Sequence, residues 1–241
     1  MAGHSKWSKV KRFKGAIDAK RGKIFSKLSK EITLAAKTGG GDPNSNPRLR
    51  SAIQAGRAQS MPNDNIERAI KRGTGEASDA SQIEEIIYEG YAPGGVALIV
   101  ETATDNKNRT AAEVRSIFSK NNGNLASAGS VSYMFHKKGQ ITVPRDSIDE
   151  DRLFELALEA GAEDFKAEPE GYEILTEPGK FESVHKQFEA KGIKADAAEV
   201  TELPTMTVAV SPEAAPQVNR LLDALEDHDD VKEVYSNAEM P

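Results

Sequence analysis

Cysteine is absent from the 241 residues, which excludes disulfide scaffolds, thiolate zinc sites and cysteine nucleophiles together. Aromatic residues are scarce at 6% while charged residues reach 29%, a balance that suits an open, multidomain molecule better than one tightly packed enzyme body. No apolar run approaches the roughly 18 residues of a membrane span, so no membrane partner is expected. The N-terminus is basic but lacks the apolar core of about 7–15 residues that a secretory signal requires. A cytoplasmic protein of two or three domains is the expectation.

What the chain does hold is charge, unevenly placed. The formal net charge is -6, yet residues 1 to 30, MAGHSKWSKVKRFKGAIDAKRGKIFSKLSK, contain ten Lys and Arg against the single acid Asp18. Residues 1 to 75 carry 17 basic and 5 acidic groups, which leaves 15 basic and 33 acidic for the rest. The first third is therefore +12 and the remainder -18. Such a division draws polyanions to the N-terminal third and repels them elsewhere, whatever the overall pI.

Periodicity gives the elements. From Ala16 to Lys37 the pattern is helical, with Ile17, Ile24, Leu28, Ile32 and Ala35 in one stripe and Lys20, Lys23, Lys27 and Lys30 on a neighbouring face. TGGGDPN stops it. A second helix follows in NPRLRSAIQAGRAQSM, with Asn46 as N-cap and Pro47 at its first position. PNDNIERAIKRG offers a third, with Asp64 and Glu67 as a capping pair and Gly73 as terminator. The polar stretch 74–82 reads as a linker, where the sign of the charge changes. Beyond it come two strands joined by a Pro-Gly-Gly turn (IIYEGYAPGGVALIVETAT), a capped helix (DNKNRTAAEVRSIFSKNNGN) and a strand in VSYMF. Residues 140–203 read strand, helix, strand, strand, helix, strand, the split β-α-β arrangement. TMTVAV, a helix around Val218, Leu221, Leu222 and Leu225, and VKEVYSN then supply strand, helix and strand, completing a sheet begun near residue 83. The absence of heptads argues against a coiled-coil dimer and favours a monomer.

MAGHSKW, DAKRGKIFSKL, GGGDPNSNPRLR, YEGYAPGG, DNKNRTAAEVR and GSVSYMF, in that order along the chain, resemble the YebC family, described as transcriptional regulatory proteins and related to the mitochondrial translational activator of cytochrome c oxidase I. The resemblance implies a multidomain α and α+β protein: an N-terminal three-helix domain, then two α+β domains, the third ferredoxin-like and inserted in the second. On this chain the division falls at 1–75, 83–133 with 204–241, and 134–203. The family's two branches imply two pathways, DNA binding at promoters and action on the ribosome.

The residues point the same way. Lys6, Lys9, Lys11, Arg12 and Lys14, followed by Lys20, Lys23, Lys27 and Lys30, are candidates for phosphate contact. Trp7 and Phe13 stand among them, where a ring either stacks on an unpaired base or packs in a core. In TATDNKNRT, Asn108 and Arg109 sit where a strand hands over to a helix. They form either an anion site or ordinary capping by Asp105 or Asn108, with Arg109 paired to a carboxylate such as Glu113. Enzyme signatures are missing: GGGDPNSNP lacks the Lys-Ser/Thr ending of a phosphate loop, no Gly-x-Ser-x-Gly elbow occurs, and His4, His136, His185 and His228 show no zinc spacing. DHDD at 227–230 reads as a solvated turn. No cofactor or metal is expected. The reading is a non-enzymatic regulator of gene expression that binds DNA or ribosomal RNA, with a protein-interaction scaffold as the alternative from another class.

Overall fold

The computed structural model describes residues 21–77 and 83–241. Its contacts divide the chain into two compact units, Tyr133–Ala209 with Asn237–Met240, and the remaining described residues up to Ser132 with Val210–Ser236.

Among the described residues the second of these units begins with three helices, α1 (Arg21–Gly39), α2 (Pro47–Ala58) and α3 (Asn63–Thr74). Ile32, Ala35 and Ala36 of α1, Leu49 and Ile53 of α2, and Ile66 and Ala69 of α3 form their shared core, the stripe that the 3.6-residue period lays out. Asn46 caps α2 as expected: its side chain accepts from Leu49 N and donates to the carbonyls of Ala35 and Gly40. The loop GGGDPNSNP is thereby tied to the end of α1.

The third helix departs from expectation at both ends. Pro62 occupies its N-cap with no side-chain cap bond, and the amides of Asn65 and Ile66 bond directly to the Pro62 carbonyl. Asp64 lies in the first turn and does not cap. Gly73 lies inside the helix, which ends at Thr74 before Gly75 in the left-handed region. A Cβ on Gly73 would lie 2.3 Å from the Thr33 carbonyl oxygen and 2.7 Å from Ala36 Cβ. This glycine serves close approach of α3 to α1, a role that sequence position near a helix end imitates.

The same unit continues as an antiparallel sheet in the order β3-β1-β2-β9, built from β1 (Glu84–Ala92), β2 (Val96–Thr104), β3 (Asn124–Ala126) and β9 (Val231–Ser236). Helices α4 (Lys107–Lys120) and α7 (Ala215–Glu226) pack on it, burying Val114, Phe118, Val218, Leu221, Leu222 and Leu225. Strand β3 has no strong sequence signal, being three residues long and only half-buried. VSYMF is not a strand throughout: Ser132–Met134 is a 3₁₀ turn and extended structure begins at Phe135. The physical reason is Glu89. Its buried carboxylate accepts from the amides of Gly129, Val131 and Ser132 at 2.6–2.9 Å, diverting those donors from a ladder.

The other unit is the ferredoxin-like one. It comprises β4 (Phe135–Pro144), α5 (Glu150–Ala160), β5 (Asp164–Glu168), β6 (Gly171–Thr176), α6 (Phe181–Ala190) and β7 (Ala197–Pro204), with sheet order β5-β6-β4-β7. This is the β-α-β-β-α-β order expected from the sequence, and its core gathers Ile141, Val143, Leu153, Ile174, Val184 and Phe188. TMTVAV does not join the sheet begun at β1. Only Val208–Ala209 is extended (β8), and it pairs in parallel with β10 (Ala238–Glu239) while Val208 N donates to the Asn237 carbonyl. Among the described residues no helix is long and apolar enough to cross a membrane.

Gly73→Ala is expected to destabilise the protein by about 2 kcal/mol through overpacking against α1. Gly22→Ala, where an added methyl meets nothing within 4 Å, is expected to cause no loss. Urea midpoints of the two variants check this, and equal midpoints would contradict it.

Candidate nucleic-acid interface

Lys23, Lys27 and Lys30 stand at i, i+4 and i+7 on α1, one side of the helix, and all three reach the same turn, residues 226–230. Lys23 Nζ bonds Asp227 Oδ2 at 2.8 Å and the Asp227 carbonyl at 3.1 Å. Lys27 Nζ bonds the Glu226 carbonyl at 2.6 Å. Lys30 Nζ bonds Asp230 Oδ1 at 2.5 Å and the Asp229 carbonyl at 3.0 Å. The turn follows the C-terminal end of α7, where unpaired carbonyls concentrate negative potential, so the ammonium groups cap that helix. Hydrogen bonding to Asp227 raises the Lys23 pKa, whereas burial lowers that of Lys27 against the pull of nearby carboxylates.

Asp230 is the centre of the arrangement. Its side chain is 4% exposed, so DHDD is not a solvated turn. Oδ1 accepts from Lys30, and Oδ2 accepts from Arg109 Nη2 at 2.9 Å and Thr110 Oγ1 at 2.7 Å. Its main-chain amide donates to His228 Nδ1 and its carbonyl accepts from Ala103 N. Burial opposes ionisation of Asp230, but the bonds from Lys30, Thr110 and Arg109 outweigh it and hold the carboxyl well below the usual carboxylate range. Arg109 also bonds Asp105 at 3.0 Å, while Glu113 pairs instead with His228 Nε2 at 2.8 Å. The cap of α4 is Asn106, whose side chain accepts from Arg109 N. Asp105 and Asn108, the caps expected from sequence, do not fill that place; Asn108 is exposed in the first turn of α4, next to Arg109.

An open cleft of about 500 Å³ adjoins this cluster, lined by Lys23, Ser26, Lys30, Arg109, Glu113 and His228 among others. Glu113, His228 and Asp230 place ligand-type atoms within 4.8 Å of one another. A divalent ion there would compete with Lys30 and Arg109 for Asp230, so the donor set is that of a neutralised hydrogen-bond hub.

A second ionic network lies on the same unit. Arg48 bonds both oxygens of Glu31, at 2.7 and 3.2 Å, and Glu85 at 2.7 Å; Lys232 bonds Glu85 at 2.7 Å and Glu31 at 2.9 Å. Alternating charge thus joins α1, α2, β1 and β9. Burial disfavours ionised Glu85, yet hydrogen bonds from Arg48 and Lys232 bring its pKa down to about 2.

Of the residues singled out from the sequence, Lys23, Lys30 and Arg109 converge on the 227–230 turn, Lys27 lies beside them, and Asn108 does not join them. Lys6, Trp7, Lys9, Lys11, Arg12, Lys14 and Lys20 lie outside the described residues. Asp230 lies in DHDD, and Thr104 and Thr110 lie in TATDNKNRT. The sequence points to each segment but not to their pairing, in which Asp230 Oδ2 accepts from Thr104 Oγ1 at 3.4 Å and Thr110 Oγ1 at 2.7 Å from about 120 residues away in the chain.

The chain is similar to known proteins along nearly its whole length. Residues 5–76 match the family profile described as "TACO1/YebC protein N-terminal domain", and residues 83–238 match "TACO1/YebC second and third domain". A relative from Desulforapulum autotrophicum, named a "Probable transcriptional regulatory protein", is 56% identical over the whole of this chain and 97% of its own length. A relative of the same name from Geobacter sulfurreducens is 55% identical over 98% of this chain and 95% of its own. The crystal structure of a conserved hypothetical protein from Aquifex aeolicus aligns with a TM-score of 0.83 and 48% identity over 93% of each chain.

Each ionic network yields one expected outcome. Asp230→Asn should cost about 3 kcal/mol, because Lys30 and Arg109 lose a buried counter-charge, whereas Asp105→Asn on the exposed pair should cost about 0.5 kcal/mol. The Glu85 carboxyl has a depressed folded pKa, so its contribution is present above the unfolded value near 4.5 and is lost as pH falls toward 2. The stability gap between the parent protein and Glu85→Gln should therefore narrow as pH drops through that window. Chemical denaturation at stepped pH measures both.

Proposed function

The chain belongs to the TACO1/YebC family, and on that premise we propose that it is a non-enzymatic, cytoplasmic regulator of gene expression that binds nucleic acid through its basic N-terminal domain, residues 1–75. The observation that carries the reading is the separation of charge, +12 before residue 76 and -18 after it. Lys23, Lys27, Lys30 and Arg109 already serve acceptors of their own chain, so phosphate contact is assigned first to Lys6, Lys9, Lys11, Arg12, Lys14 and Lys20. The remaining domains, 83–133 with 204–241 and 134–203, hold this segment in place and, being acidic, restrict polyanions to it.

The names of the relatives favour duplex DNA as the target. Trp7 and Phe13 among the cations favour a second reading, RNA in a structured or ribosomal setting, because unpaired bases present faces on which rings stack. No membrane partner and no cofactor enters either reading.

Changing Lys6, Lys9, Lys11, Arg12 and Lys14 together to Gln should weaken binding to any nucleic acid, lowering the salt slope by about 0.7–0.9 for each phosphate that is no longer neutralised. Trp7→Ala then separates the readings. On RNA it should cost about 1–3 kcal/mol of affinity, and on duplex DNA little unless the ring wedges between base steps. Fluorescence anisotropy across a salt series measures both; an unchanged slope would reject the proposal.

A further inference from the structure

The N-terminal segment does not exhaust the positive surface of this domain. Helix α2, PRLRSAIQAGRA, contains no acidic residue. Its inward face is Leu49, Ala52, Ile53 and Gly56. The opposite side presents Ser51, Gln54, Ala55, Arg57 and Ala58, all exposed, and Arg50 lies half-buried at its flank with Nη1 donating to the Pro43 and Asn44 carbonyls. Arg50, Gln54 and Arg57 are spaced i, i+4 and i+7, so they line one side of the helix. Helix α3 differs, since its outward side mixes Asp64 and Glu67 with Arg68 and Lys71. An acid-free helix fits the basic first third of the chain, whose 75 residues hold only 5 of the 38 acidic groups.

We infer that the exposed side of α2 is a second nucleic-acid contact, in which Gln54 and Arg57, beside the internally bonded Arg50, meet the phosphodiester backbone of a double helix. The inference rests on the nucleic-acid reading above and extends it to a surface other than the N-terminal segment. Geometry supports this choice of ligand. Gln54 and Arg57 stand three residues, about 4.5 Å, apart along the helix axis, so both reach one phosphate or two neighbouring ones. Ser51, Ala55 and Ala58 are short, so the helix approaches a backbone without steric obstruction. The rail is set on a rigid base: Asn46 caps α2, Arg48 is fixed between Glu31 and Glu85, and the Pro43 and Asn44 carbonyls orient Arg50. The Arg57 guanidinium gives forked donors for phosphate oxygens, and the Gln54 amide adds a neutral donor beside it.

The test uses the full-length protein, with a random-sequence DNA duplex and an RNA hairpin as probes. Gln54→Glu combined with Arg57→Glu puts two carboxylates on the rail at exposed positions. Affinity for at least one probe is expected to fall about tenfold or more, with the salt slope lower by about 0.9 for the Arg57 contact. Arg115→Glu, the same charge reversal as at Arg57 but on the exposed side of α4, is expected to leave the slope unchanged. A loss confined to the duplex assigns DNA and one confined to the hairpin assigns RNA. Should the double variant lower the unfolding midpoint, Arg57→Gln alone, which only neutralises an exposed side chain, must still lower the slope. Unchanged affinity and slope, or an equal loss in Arg115→Glu, overturns the inference. If only the variant of Lys6, Lys9, Lys11, Arg12 and Lys14 weakens binding, the N-terminal reading stands and this surface is rejected; if the parent protein binds neither probe, both fall.

Discussion

One buried carboxylate organises the unit that carries the basic helices. Asp230 lies just before β9 and receives donors from α1 through Lys30 and from α4 through Arg109 and Thr110. A charge this enclosed is stable only when fully partnered, so the three elements must arrive in one relative position. The Glu31–Arg48–Glu85–Lys232 network adds a second set of fixed distances from α1 and α2 to β1 and β9. These pairings set how the helical domain stands on its sheet through charge geometry as well as through apolar area.

That arrangement changes the meaning of the basic sequence. Counting lysines suggests one continuous polycationic surface, but α1 directs three of its ammonium groups to the carbonyls and carboxylates at residues 226–230. Cations that cap a helix and neutralise a buried acid are stabilising groups, and their displacement by a phosphate would strand Asp230. The proposed polyanion contact therefore falls to other cations, those in the sequence before residue 21 and on the outward side of α2. The acidic remainder of the chain sharpens the division by repelling a polyanion from the other surfaces.

Two of the sequence segments that carry the family likeness turn out to be local architecture. In GGGDPNSNPRLR, Asn46 joins the end of α1 to the start of α2. In YEGYAPGG, Glu89 gathers the three amides of the GSVS loop. Burial opposes the charge on Glu89, but those amides stabilise it and hold its pKa below the usual range. Both are buried polar groups whose hydrogen bonds are satisfied by backbone, which makes them intolerant of substitution without any contact to a ligand.

Short-range chemistry determined what the sequence could determine by itself. The 3.6-residue stripes of α1 and α2, the Asn46 cap, the Pro-Gly-Gly turn between β1 and β2 and the strand-helix order of the ferredoxin-like unit all depend on neighbours within about ten residues, where propensity and steric rules act. The uneven charge was equally plain. Tertiary structure alone decided which charges remain for a partner, because Lys30 and Arg109 find Asp230 across 200 and 121 positions and no periodicity encodes such a distance. It also decided the role of Gly73, which lets α3 approach the Thr33 carbonyl of α1 and does not end its helix. VSYMF begins as a turn because Glu89, more than 40 residues earlier, holds its first amides. In each case the local signal was ambiguous and a buried partner, reached only in three dimensions, resolved it.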